Sequence, residues 1–154
     1  MDAVNNTGIT MSAAAGEKGL LVIFSSNKCP YIIKYQSRMI ELASNINNQR
    51  PSYFIEQAKE KLGSLKNQRI LVVGVAYKPN VSDVRETPVE ALLNGLSEQG
   101  ARVYWHDDLV KEWNGKKSVE LSSDYDLAII ATPHSYIDTE MLGDVLILDT
   151  RGSL

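Results

Sequence analysis

Residues 64–154 predict an α/β fold, a parallel sheet with flanking helices, and residues 31–63 predict a long helix ahead of it. Three observations carry this expectation. Ile70, Leu71, Val72, Val73, Val75 and Ala76 form a near-continuous apolar run, the pattern of a strand covered on both faces. Further apolar runs alternate with helical texture, and that alternation favours parallel strands with right-handed crossovers. Upstream, Met39, Ala43 and Ile46, then Phe54, Ala58 and Leu62, recur at the spacing of one helix face.

Residues 1–30 mix small and polar types with no sustained period, and AAAGEKG at Ala13 to Gly19 reads as loop. Helical texture runs from Tyr31 to Leu62. Pro51 either opens a second helix capped by Asn47 or Asn48, or kinks a single one, and Gly63 ends the element in both cases. The first strand spans Arg69 to Ala76. A helix from about Pro88 to Gln99 follows, with Thr87 as N-cap, Pro88 at the first helical position and Gly100 as stop. Arg102 to His106 is the second strand and ends at Asp107-Asp108. Leu109 to Ser123 offers one short strand around Val119 to Leu121. Leu127 to Ala131 opens onto Thr132, Pro133 and His134, a helix leads to Leu142, and Val145 to Leu148 is the last strand, followed by Asp149 and Arg151. The whole is a Rossmann-like domain preceded by a long helix. An apolar stripe projecting from such a domain needs a partner to bury it, so the helix is expected to form a homodimer.

With 154 residues the chain has room for one core and an arm. A net charge of −3 gives no electrostatic case for nucleic acid, so any polyanion site must be local. The apolar run Leu20 to Phe24 is far shorter than a membrane span or the core of a signal peptide, so no membrane partner is expected and a cytoplasmic setting is. Cys29 is the single cysteine, which excludes an internal disulfide and offers no zinc-type cluster.

The first strand ends where chemistry is expected. Lys78 and Arg85 bracket a polar loop that runs into a helix start, and ligands of open parallel sheets bind at the carboxyl ends of the strands. Arg151, after the last strand, belongs to the same edge, and three cations there suit a diphosphate. Tyr77 either packs on a base or covers the sheet edge. His134 is either a ligand contact or a polar strand terminus. Asp107 and Asp108 read as solvated turn residues, and their place after the second strand rules out a phosphoacceptor receiver domain. Gly74 is followed by Val75, Ala76, Tyr77, Lys78 and Pro79, so the G-x-G-x-x-G fingerprint is absent and a self-contained NAD site is not expected. Cys29 has no nearby histidine and reads as an incidental thiol.

The stretch AYKPNVSDVRETP, Ala76 to Pro88, resembles the motif A-[FY]-K-x-x-x-x-D-x-R-E-[ST]-P of the UDP-glucose/GDP-mannose dehydrogenase family. RMIELASNINNQRP, Arg38 to Pro51, is similar to that family's central dimerisation helix, in a form closest to members acting on UDP-N-acetylhexosamines. DLAIIATPH at Asp126 to His134 and LILDTR at Leu146 to Arg151 take the places of its later strands. The resemblance implies the family's C-terminal UDP-sugar-binding domain, from a lineage that oxidises the C6 alcohol of a UDP-sugar to a carboxylate with NAD. It further implies that Tyr77 and Lys78 contact the UDP-sugar, that Arg151 contacts its phosphate or sugar end, and that Arg38 reaches the partner subunit's substrate site. Arg85 would lie toward the NAD side. The G-G-x-C loop that carries the family's nucleophile is not found in the sequence, and Cys29 does not inherit that role. The chain alone is therefore expected to bind without turning over, with a separate NAD-binding chain left open. The rival expectation is a stand-alone nucleotide-sugar sensor.

Overall fold

The structure, a computed structural model, describes residues 30–150. The chain divides into two units between Glu41 and Leu42. The described part of the first is the opening of helix α1 (Pro30–Leu62); the sheet and its packing belong to the second. Helix α1 is continuous, with Pro51 inside it, so of the two readings of that proline the single helix holds. Pro51 cannot donate to the carbonyl of Asn47, which loses its in-helix partner. Gly63, at φ +74°, closes the helix by donating to the carbonyl of Lys59 at 2.8 Å.

Strands β1 (Arg69–Val73), β2 (Arg102–His106), β5 (Leu127–Ile130) and β6 (Leu146–Asp149) form one sheet in the order β2-β1-β5-β6. All of its pairings are parallel. Val73 lies opposite His106 and Ile130, and Ile130 lies opposite Asp149, so the four carboxyl ends stand in one row. Helix α2 (Val89–Glu98) links β1 to β2. Thr87 Oγ1 accepts the Val89 amide at 3.3 Å, but the helix starts one residue later than expected, with Pro88 in place of Thr87 as N-cap and no side-chain cap on the helix.

Strand alternation sorts the core into two layers. Ile70, Val72, Leu127 and Ile129 pack with Ala58 of α1 and with Val89, Leu92 and Leu96 of α2. Leu71, Val73, Ala128 and Ile130 pack on the other face with Leu121 and Leu142. The apolar stripe of α1 is thereby divided. Phe54, Ala58 and Leu62 join the core, whereas Ile46 remains 56% exposed.

Three expected elements differ. β1 stops at Val73 instead of Ala76, because Gly74 turns the backbone to φ +80°. Instead of a strand at Val119 to Leu121, the segment holds a hairpin of β3 (Glu112–Trp113) and β4 (Lys116–Lys117). Its turn is Asn114-Gly115, both at positive φ as a type I′ turn requires. The helix expected before Leu142 shrinks to a 3-10 turn, Thr139–Leu142, capped by the Asp138 side chain on the Glu140 amide. No helix among the described residues is long and apolar enough to cross a membrane.

Candidate functional site

From β1 the chain moves to β2 on one side, then returns to place β5 on the other. The carboxyl ends of β1 and β5 therefore flank the point where strand order reverses, the position at which open α/β sheets bind ligands. The two backbones leaving it run in close contact. A Cβ on Gly74 would overlap the carbonyl oxygen of Thr132, and Thr132 Oγ1 donates to the carbonyl of Ala76 at 2.7 Å. Only glycine fits at position 74.

A cleft of about 650 Å³ opens over this edge. Tyr77 and Lys78 from the β1 loop, Ala131 and Thr132 from the end of β5, and Thr150 beyond β6 line one side. Glu86 to Val89 at the start of α2 line another, and Ser44, Asn47, Asn48, Arg50, Pro51 and Phe54 of α1 complete the wall. Arg50 is held there from two directions. Its Nη2 donates to the carbonyl of Thr150 at 3.1 Å, and its guanidinium lies 5.6 Å from the centre of the Phe54 ring. Lys78 Nζ sits 5.6 Å from the centre of the Tyr77 ring, on the exposed rim.

Of the residues singled out by sequence, Tyr77 and Lys78 meet in this cleft. Arg85 does not line it. Its Nε and Nη2 grip both oxygens of Asp83, at 2.9 and 2.7 Å, and the guanidinium is 86% exposed. Hydrogen bonds from the Arg85 side chain and amide hold the Asp83 carboxyl down to about 2. Arg38 belongs to the first unit, with its guanidinium 5.9 Å from the centre of the Tyr35 ring. Arg151 and Cys29 lie outside the described residues. Sequence reasoning gave Arg50, Ser44 and Thr132 no role in the site. The available signal was the polar run Asn47 to Arg50, which interrupts the apolar texture of α1 between Ile46 and Phe54.

Beneath the loop lies a buried polar pair. Asp107, read from sequence as a solvated turn residue, is fully buried, because β2 sits beside β1 and its end is covered by the β1 loop. Its Oδ2 accepts the amides of Val75 at 2.9 Å and Ala76 at 3.3 Å, and its Oδ1 accepts those of Leu109 and Val110 at 2.9 and 3.1 Å. Burial pushes this carboxyl up, but the Val75 amide, His134 and the Leu109 and Val110 amides outweigh it, so its pKa falls below the ordinary value. Asp108, by contrast, is exposed as expected. His134 also has a fully buried side chain, with Nε2 at 3.0 Å from Asp107 Oδ2, while its Nδ1 accepts the Asn80 amide at 2.8 Å. A ring nitrogen that accepts an amide carries no proton, so the proton on Nε2 is the one given to Asp107. Tyr136 stacks on the imidazole at 5.1 Å, and burial, with Asp107 and Asp108 nearby, pushes its phenol up to about 12. Among the described residues no group of three or more His, Cys, Asp or Glu could hold a metal ion.

Residues 71–154, more than half of the chain, match the model of the UDP-glucose/GDP-mannose dehydrogenase family, UDP binding domain. Among curated proteins, UDP-glucose 6-dehydrogenase 2 of Arabidopsis thaliana is 29% identical over 118 residues, covering 75% of this chain and 24% of that protein. UDP-N-acetyl-D-mannosamine dehydrogenase of Campylobacter jejuni is 28% identical over 76 residues, 47% of this chain and 19% of its own. Among solved structures, a UDP-glucose dehydrogenase from Pyrobaculum islandicum aligns with a TM-score of 0.61 at 29% identity, covering 77% of this chain and 31% of that one. A UDP-N-acetyl-mannosamine dehydrogenase from S. aureus aligns with a TM-score of 0.64 at 25% identity, covering 80% and 32%. The chain thus spans between about a fifth and a third of the length of these relatives. With a parallel sheet, a cleft at its switch point and a match that begins inside β1, the chain belongs to the UDP-glucose/GDP-mannose dehydrogenase family, through that family's UDP binding domain.

Proposed function

We propose that the cleft binds the diphosphate end of a UDP-sugar, and that the chain is the substrate-binding and dimerising portion of a cytoplasmic nucleotide-sugar 6-dehydrogenase. Its substrate would be a UDP-hexose or UDP-N-acetylhexosamine, oxidised to the uronic acid with NAD. One observation carries the reading: Lys78, Arg50 and the first residues of α2 surround a single volume at the switch point. Two cations and a helix N-terminus match the charge of a diphosphate, and Glu86 on the same wall bars the anion from that corner. Tyr77 offers its half-exposed ring to the base or sugar. Arg151, which follows the cleft-lining Thr150 in the sequence, is proposed as a third cation for the same diphosphate.

The turn after β1 offers no cradle for the oxidant's pyrophosphate. Gly74 stands alone after β1, and the space its missing Cβ leaves is filled by Thr132, so no pyrophosphate can approach that turn. On this reading the oxidant is held away from that turn, and the part proposed for Arg85, held by Asp83, is to face the NAD side. The exposed Tyr35, Leu42, Ile46 and Tyr53 recur along α1 at heptad-like steps, which supports a homodimer through this helix and Arg38 as a contributor to the partner's site.

Calorimetric titration with UDP tests the binding role. Lys78→Ala and Arg151→Ala should each cost about 1.5–3 kcal/mol, the range for hydrogen bonds to charged groups. Lys116→Ala and Lys117→Ala, in the exposed strand β4, should cost nothing measurable. Equal losses at the control lysines would reduce the effect to general charge attraction. A folded wild-type chain that ignores UDP would overturn the reading.

A further inference from the structure

The loop carrying Tyr77 and Lys78 is tied across itself by the Tyr77 amide, which donates to the carbonyl of Asp83 at 2.8 Å, and is fastened from below at both ends through one buried pair. At its start, Asp107 Oδ2 accepts the amides of Val75 and Ala76, while Thr132 Oγ1 donates to the carbonyl of Ala76. At its end, His134 Nδ1 accepts the Asn80 amide at 2.8 Å, and Asn80 Oδ1 accepts the amide and hydroxyl of Ser135 at 3.0 and 3.1 Å. The two ends are joined by the 3.0 Å contact of His134 Nε2 with Asp107 Oδ2, in which both side chains are fully buried. Asn80 holds φ at +62°, a conformation that asparagine tolerates better than most residues. Lys78 itself is exposed, and among the described residues its one side-chain contact is with the neighbouring Tyr77 ring, which does not fix its direction.

We infer that Asp107 and His134 form a positioning unit for the nucleotide-sugar cleft: through Asn80 they hold the Tyr77-Lys78 segment so that the Lys78 ammonium points into the anion site. This rests on the binding role proposed above. A histidine suits the task because its two nitrogens play opposite parts, Nε2 donating to a carboxylate while Nδ1 accepts a main-chain amide. An asparagine at 134 places an oxygen near the Nδ1 position and keeps the Asn80 amide satisfied, whereas a glutamine reaches Asp107 and leaves that amide without an acceptor.

The test is UDP titration of the full chain carrying His134→Gln, His134→Asn or Asn80→Gly, each with lysine or alanine at position 78. Thermal melts report folding separately. His134→Gln should weaken UDP binding about tenfold when Lys78 is present, and less than twofold when it has been replaced, since a residue acting through Lys78 has nothing further to lose. His134→Asn should recover binding to within about threefold of wild type. Asn80→Gly keeps the amide and the positive φ but loses the hold on Ser135; on this exposed loop it carries the test if His134→Gln does not fold. It should cost about threefold, again only with Lys78 in place. Losses of equal size in both backgrounds, or wild-type affinity in His134→Gln and Asn80→Gly, would overturn the positioning role while leaving the binding role intact. Absence of UDP binding by the wild-type chain would instead remove the role on which this one rests.

Discussion

Replacing Asp107 by asparagine keeps the shape of the side chain and removes one of its two acceptors, and the geometry sets what that costs. With the amide oxygen in place of Oδ2, the NH2 group confronts the amides of Leu109 and Val110; turned the other way, it confronts those of Val75 and Ala76 and the Nε2 proton of His134. The first orientation leaves fewer donors without a partner and should be adopted. A buried donor left unmet costs about 1–3 kcal/mol. Leu109 is partly exposed, so water replaces some of its loss, whereas the Val110 amide is buried. The expected destabilisation is about 2–4 kcal/mol, visible as a urea midpoint lowered by roughly 1–2 M with an unchanged slope. Acid adds a second signature. The Asp107 pKa is depressed in the folded chain, so the stabilisation by its carboxylate is complete above the unfolded value, about pH 4, and is lost as pH falls from there through the folded value. The gap between wild type and Asp107→Asn should therefore be widest near neutrality and close in acid. Asp108→Asn, whose side chain is 47% exposed, should stay within about 0.5 kcal/mol of wild type. A stability for Asp107→Asn within that same margin at neutral pH, or a gap that acid leaves unchanged, would refute the reasoning.

Gly74→Ala should destabilise by more than about 2 kcal/mol, since it combines a positive φ with overlap against main chain that cannot yield; a melting temperature equal to wild type would show that the β1 and β5 ends separate easily. Arg50→Ala should weaken UDP binding about three- to tenfold in the same calorimetric titration, while Arg50→Lys, which keeps charge but not the guanidinium's bond to the Thr150 carbonyl, should fall between; unchanged affinity would take Arg50 out of the anion site. Ile46→Asp, on the exposed face of α1, should convert a homodimer to monomer in light scattering without lowering the melting temperature of the sheet, and a wild-type monomer at high concentration would remove that interface.

The parts of the fold that were legible are those whose burial writes itself into local composition. β1 and β5 are covered on both faces, so Ile70 to Val73 and Leu127 to Ile130 read as apolar runs without tertiary knowledge. β3 and β4 lacked that mark. Each is two residues long, too short for any period, and only the Asn114-Gly115 turn announced the hairpin. The site divides in the same way. Tyr77 and Lys78 were legible because a strand end next to a helix start is a local feature. Arg50 and Ser44 were not, since they come to the cleft only through the docking of α1 beside the sheet edge. Asp107 was misread for a related reason: two acidic residues after a strand look solvated until the strand order is known. Once β2 is seen beside β1 and β5 on the far side, the end of β2 and the loop after β5 both meet the loop that leaves β1. That loop then needs acceptors for the amides of Val75, Ala76 and Asn80, and Asp107 and His134 are the side chains that supply them. The parallel strand order thus brings a residue from each neighbouring strand end under the segment that carries Lys78, and the polar pair follows from the topology rather than from any motif in the chain.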